Sequence, residues 1–143
     1  MSISKQIKES DAPILRVNGA YEIQHQAWSR VYDIGSKTGG STDVVFDCNN
    51  GSVQKVAIEG TINKLYVKNA YEGACYVLVV AGTSTPAFTA FDTTGDASAK
   101  LAAIKSEGGF ASFGLTDAST DIISIIGAGG NVVFVSQAKD FKA

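Results

Sequence analysis

Apolar and polar positions alternate along most of the chain, in short runs broken by glycine, asparagine and proline. This period of two predicts strands. Pro13 to Val17 and Ala20 to Gln26 flank Asn18-Gly19, a pair suited to a type I′ hairpin turn because both central positions take positive φ. Ala27 to Ile34, with Trp28, Val31, Tyr32 and Ile34, reads as strand in preference to a turn of helix. Asp43 to Cys48 places Val44, Phe46 and Cys48 on one face and Val45 on the other, and Asn49-Asn50-Gly51 predicts a second hairpin turn before Ser52 to Glu59. The centre of the pattern is Gly60 to Gly82. There Thr61 to Lys68 and Ala74 to Ala81 predict an antiparallel hairpin across the polar turn Asn69 to Gly73. Ala74 to Ala81 is apolar at odd and even positions alike, as in a strand buried on both faces.

Further on, Ala87 to Phe91, Phe110 to Leu115, Asp121 to Ile126 and Asn131 to Val135 read as strands, the last two joined by Gly127-Ala128-Gly129-Gly130. Asp96 to Glu107 reads as a helix: Asp96 suits the N-cap, Ala97, Leu101 and Ile104 share a face, and Gly108 follows the last turn. Gly35 to Thr42 has no apolar residue and predicts a flexible loop. About ten short strands with one short helix near 96–107 predict an all-β fold, a sandwich or barrel, of which an antiparallel β-sandwich is the expected form. No unit repeats along the chain with a period of roughly 20–50 residues, which argues against a solenoid or propeller. The expected organisation is a flexible polar arm over residues 1–11, one domain over 12–136 and a polar tail over 137–143.

Composition narrows the chemistry. The 143 residues are 45% hydrophobic and only 18% charged, with 15 glycines and a formal net charge of −2. Neither that balance nor the scattered lysines favours nucleic acid or an anionic membrane. Met1 to Asp11 has no apolar stretch of signal-peptide length, and no run approaches the roughly 20 residues of a spanning helix. Synthesis in the cytoplasm, or export without such a signal, is therefore expected. Cys48 and Cys75 both fall in strands and are expected as buried free thiols in preference to a disulfide.

The motifs with chemical content resolve into structural readings. Ile122 to Asn131 runs a buried strand into glycines, but strand formers Val132 to Val135 follow, where a dinucleotide-binding turn needs a helix. Gly35-Ser36-Lys37-Thr38 lacks the glycines of a phosphate-binding loop. Asp47, Asn49 and Gly51 have Ile58 where a calcium loop needs glutamate. Asp92 and Asp96 are near enough in sequence to share a cation, but Asp96 is already accounted for as a cap. His25, the only histidine, has no nucleophile motif to serve. No catalytic residue, metal ligand or cofactor is assigned.

Over its whole length the chain resembles the jelly-roll decoration (cement) proteins of tailed-bacteriophage capsids. The resemblance is carried by the polar arm, by short strands rich in Gly, Ala, Ser and Thr, and by the segments GTINKLYVKNAYEGACYVLVV and NVVFVSQAKDFKA. It is one of style, with no position-specific signature, so no functional residue is carried over. It implies a jelly-roll, non-enzymatic virion protein on the capsid surface, with further copies of itself and the phage major capsid protein as partners. The candidate contact residues are Ile3 and Ile7 in the arm, Lys37 and Thr38 in the polar loop, and Trp28 and Tyr32. The alternative is a tail-associated adhesin or carbohydrate-binding module presenting Tyr21, Trp28, Tyr32, Tyr66, Tyr71 and Tyr76 to a sugar. A small enzyme using His25 is a third reading.

Overall fold

The computed structural model describes Ile14–Val17, Ala20–Ile23 and residues 30–143. The chain divides into two units, Met1–Arg30 and Val31–Ala143. In the first, β1 (Ile14–Val17) and β2 (Ala20–Ile23) pair antiparallel with Val17 opposite Ala20. That pairing agrees with the hairpin the sequence predicts for these two runs, whose turn lies outside the described residues.

The second unit contains β3 (Tyr32–Thr38), β4 (Val44–Asp47), β5 (Val53–Glu59), β6 (Thr61–Lys68), β7 (Cys75–Gly82), β8 (Ala87–Phe91), β9 (Leu101–Ser106), β10 (Thr120–Gly129) and β11 (Val132–Phe141). The fold is all-β, as expected. Its strands follow the order β3-β5-β7-β10-β11-β9-β6-β4, with β8 also on β6. They make one nearly closed mixed sheet.

The pairing differs from the antiparallel, jelly-roll expectation. β6 and β7 are not partners: β7 lies between β5 and β10, while β6 pairs with β4, β8 and β9. From β3 to β8, successive strands alternate between two walls, and β3, β4, β5 and β6 each pair in parallel with the strand two further along. Tyr32 aligns with Gln54, Val53 with Val77, Val44 with Leu65 and Thr61 with Ala87. Residues 32–91 therefore wind coil upon coil, which the absence of a sequence repeat had argued against. β10 then adds antiparallel to β7, β11 antiparallel to β10, and β9 joins β11 in one wall to β6 in the other.

Gly60 forms one of the corners at which the chain winds. It alone separates β5 from β6, too short a link for the usual two-residue hairpin, and at φ 73° it turns the chain across to the opposite wall. The corners stack through their backbones. Gly39 N donates to Glu59 O, Gly60 N to Ser84 O and Ala87 N to Gly60 O. At the other side, Asn69 Nδ2 donates to Asp47 Oδ1 at 2.9 Å. The Asn49–Gly51 region is likewise an arch and not a hairpin turn: Cys48–Asn50 form one 3-10 turn leading from β4 to β5.

The inward positions make the core: Val44 and Phe46 on β4, Val56 and Ile58 on β5, Ile62, Leu65 and Val67 on β6, Leu78 and Val80 on β7, Ile123 and Ile125 on β10. In β6 the apolar phase slips by one between Ile62 and Leu65. Asp43 holds that irregularity, its Oδ1 accepting from Asn63 Nδ2 at 2.8 Å and Lys64 N at 3.2 Å.

The helix expected over 96–107 does not form. Asp96 accepts from Ser98 N, Ser98 Oγ and Ala99 N, the bonds an N-cap would accept, but Lys100 adopts φ 60° and Asp96 bridges to Leu101. The chain turns and continues as β9, whose Ala102 and Ile104 enter the core and whose backbone bonds go to β11 and β6. Phe110 to Leu115 is not a strand either. Phe110–Ser112 is a 3-10 turn that sets Phe110 and Phe113 against Phe91, with ring centroids 4.9 and 4.6 Å away. Gly35–Thr38, expected as loop, belongs to β3, and the polar segment after Ser136 continues β11 to Phe141.

Candidate functional site

The residues between the core positions of β7, β10 and β11 point out of the sheet. They are Cys75, Val77, Val79 and Ala81 on β7; Thr120, Ile122, Ser124 and Ile126 on β10; and Phe134, Ser136 and Ala138 on β11. Their in-sequence neighbours Tyr76, Leu78, Val80, Asp121, Ile123, Ile125, Val133 and Val135 are buried. The registers set them in rows: Cys75, Ile126 and Phe134; then Val77, Ser124 and Ser136; then Val79, Ile122 and Ala138. No Asp, Glu, Lys or Arg occurs in these rows. Where one sheet face meets water, alternation normally makes that face polar. Here Ile126 is 47% and Phe134 51% exposed.

Charge appears only at the margins of this face. Asp33 on β3 and Lys55 on β5 form an ion pair at 3.7 Å, and Lys105 on β9 stands beside Phe134. The sequence signals for the face are the apolar runs Tyr76–Ala81 and Val132–Val135 and the run Ile122–Ile126, interrupted only by Ser124. The two-sided reading of β7 had caught one of them; Ile126 and Phe134 were not singled out.

The candidate contact residues scatter. Ile3, Ile7 and Trp28 lie outside the described residues, as does His25. Tyr32 opens β3 and is exposed, while Lys37 and Thr38 close the same strand, Lys37 half-buried beside Ile58 and Thr38 exposed beside Glu59. Tyr32 and Lys37 therefore sit at opposite ends of an edge strand. Among the proposed sugar-stacking aromatics, Tyr66 is half-buried on β6 and Tyr71 exposed in the β6–β7 connection. Tyr76 is in the core, its hydroxyl accepting from Tyr71 N at 3.0 Å. Tyr21 is on β2, and its side chain lies outside the described residues.

The acidic motifs are occupied by their own turns. Asp92 Oδ1 accepts from Thr94 N, Thr94 Oγ1 and Gly95 N. Asp96 is held below the usual carboxyl range, first by the Ser98 hydroxyl. Among the described residues no group of three or more His, Cys, Asp or Glu side chains is placed to hold a metal ion. Gly127 in the glycine run serves close packing: a side chain there would run into the Tyr71 carbonyl, and Gly127 N donates to Ala74 O.

Both cysteines are free. Cys48 is buried, and desolvation pushes its thiol up to about 11 despite a hydrogen bond with the Tyr76 hydroxyl. Cys75, expected to be buried, is exposed in the outer row with Ile126 and Phe134. The reason is phase: Tyr76 takes the inward position, and Cys75 must face outward.

Two grooves border the aromatic turn. One of about 420 Å³ is lined by Ser106, Glu107, Phe113, Gln137 and Lys139, among others. Another of about 360 Å³ lies beside Phe91, Ile104, Lys105 and Phe110. Among the described residues no helix is long and apolar enough to cross a membrane. Compared with known protein families, with curated proteins and with solved structures, the chain matches none.

Proposed function

We propose that this chain is a non-enzymatic structural protein that acts by adhesion, a decoration protein of a phage capsid that associates with itself and with the major capsid protein at the capsid surface. The observation that carries the reading is the outer face of β7, β10 and β11, without a formal charge in its rows and with Ile126 and Phe134 about half exposed. Large apolar side chains left exposed on an uncharged face mark a place where another protein packs. Repetition of such contacts over a symmetric shell multiplies modest affinities.

The test is cosedimentation of the full chain with purified phage particles through a density gradient. Recovery with the particles at a fixed ratio to the major capsid protein is expected. Recovery only in the free fractions overturns the reading. Removal of residues 1–11 is expected to leave β3 to β11 folded and to reduce incorporation.

A further inference from the structure

We propose that the outer face of β7, β10 and β11 is the interface with a second copy of this chain, packed sheet on sheet about a twofold axis. The inference rests on the reading of the chain as an associating protein and names the partner at that same surface.

Three features favour a second copy. The first is charge: identical surfaces repel when they carry net charge, and here Asp33, Lys55 and Lys105 lie at the margins while the central rows carry none.

The second is shape. Ser124 stands opposite both Val77 and Ser136, making a middle row of small and medium side chains. An axis crossing the strands at that row lays Phe134 of one copy over Ala138 of the other, Ile126 over Ile122 and Cys75 over Val79. A large side chain thus meets a small one on β11, and each contact occurs twice, as a twofold interface requires.

The third is size. β7, β10 and β11 side by side, over the eight residues of β7, cover a footprint of roughly 14 by 26 Å at about 4.8 Å between strands and about 3.3 Å per residue, the scale of a small interface below roughly 600 Å² per partner.

Sedimentation equilibrium of the full chain over a dilution series tests this. The wild-type chain is expected to be dimeric at micromolar concentration. Phe134→Lys, which sets a charge against Ala138 of the other copy, is expected to weaken the dimer roughly a hundredfold with the far-ultraviolet circular dichroism of the strands retained. Adding Ala138→Glu to that variant is expected to restore roughly tenfold of the loss across the axis. Within one chain the two positions are roughly 13 Å apart along β11 at about 3.3 Å per residue, too far to pair.

Ser136→Arg provides a second disruption at the axis in case Phe134→Lys does not fold. A monomeric wild-type chain overturns the proposal, as does a dimer that persists in both Phe134→Lys and Ser136→Arg. The capsid reading fails separately. A dimer that never joins particles keeps this interface and removes the decoration role. A monomer that does join particles removes the interface and keeps the role.

Discussion

Ile126 and Phe134 stand opposite each other on β10 and β11, both turned out of the sheet and each about half exposed, while the next pair along, Ile125 and Val135, is buried. Adjacent residues of the same chemical kind therefore meet opposite environments. Phe134→Ala is expected to change the unfolding free energy of the dilute monomer by less than about 1 kcal/mol. Ile125→Ala is expected to cost about 2–5 kcal/mol through lost burial and the cavity it leaves. Urea unfolding at low protein concentration measures both. Raising the concentration of the wild-type chain should move its midpoint upward if folding is linked to association.

Gly60 makes a separate test of the winding. At φ 73° a β-branched side chain is strained, whereas asparagine tolerates this region. Gly60→Val is expected to destabilise by about 1–2 kcal/mol or more, and Gly60→Asn by distinctly less. Thermal or urea unfolding of the two variants gives the comparison. Equal costs would mean that side-chain bulk, not the backbone angle, dominates at this corner.

Asp43 should matter more than its place before a four-residue strand suggests. Its carboxylate accepts from both Asn63 Nδ2 and Lys64 N, where β6 departs from strict alternation. Asp43→Ala is expected to cost about 1–3 kcal/mol by leaving those donors without their acceptor. Amide chemical shifts should move chiefly around Asn63 and Lys64.

Cys48 couples stability to alkaline pH. Burial raises its thiol from 9.0 to about 11. An acid whose pKa is raised by folding stabilises the native state while it stays protonated, and that contribution is lost as pH rises from the unfolded value through the folded one. Stability is therefore expected to fall between about pH 9 and 11, and to fall less steeply in Cys48→Ala. Urea midpoints across that range provide the check. Desolvation acts in the same direction on the neighbouring Tyr76 hydroxyl, so part of the slope should survive in the variant.

Most of the strands, though not β9 or the end of β3, were legible in the sequence, because an apolar side chain at every second position reports which side of the backbone is buried. Val44 with Phe46, Val56 with Ile58 and Leu65 with Val67 are all found inside as the alternation predicts. Alternation does not say which strand lies alongside, and that is where the reading departed from the fold. The polar stretch Asn69 to Gly73 suits a hairpin turn and an arch between walls equally well in composition. The one-residue link at Gly60, too short for a two-residue hairpin, lies one element earlier.

The misread helix has a similar origin. Asp96 accepts the same local bonds in a turn as at a helix start, and Ala102 and Ile104 carry both a strand period and part of a helical one. Pairing with β11 and β6 decides the matter, and no local pattern contains it. Of the candidate site, the two-sided apolar character of β7 was readable. The row that it forms with Ile126 and Phe134 depends on register across three strands, and so was not.

The winding is also unequal at its two ends. β7 and β10 each have hydrogen-bonded neighbours on both sides, whereas β3 pairs only with β5 and β4 only with β6 among the described residues. Amide protons of β3 and β4 should accordingly exchange with solvent well before those of β7 and β10. Partial unfolding would then peel the first coil away while Leu78 and Ile123 remain enclosed, so that damage to the fold begins where the chain enters it.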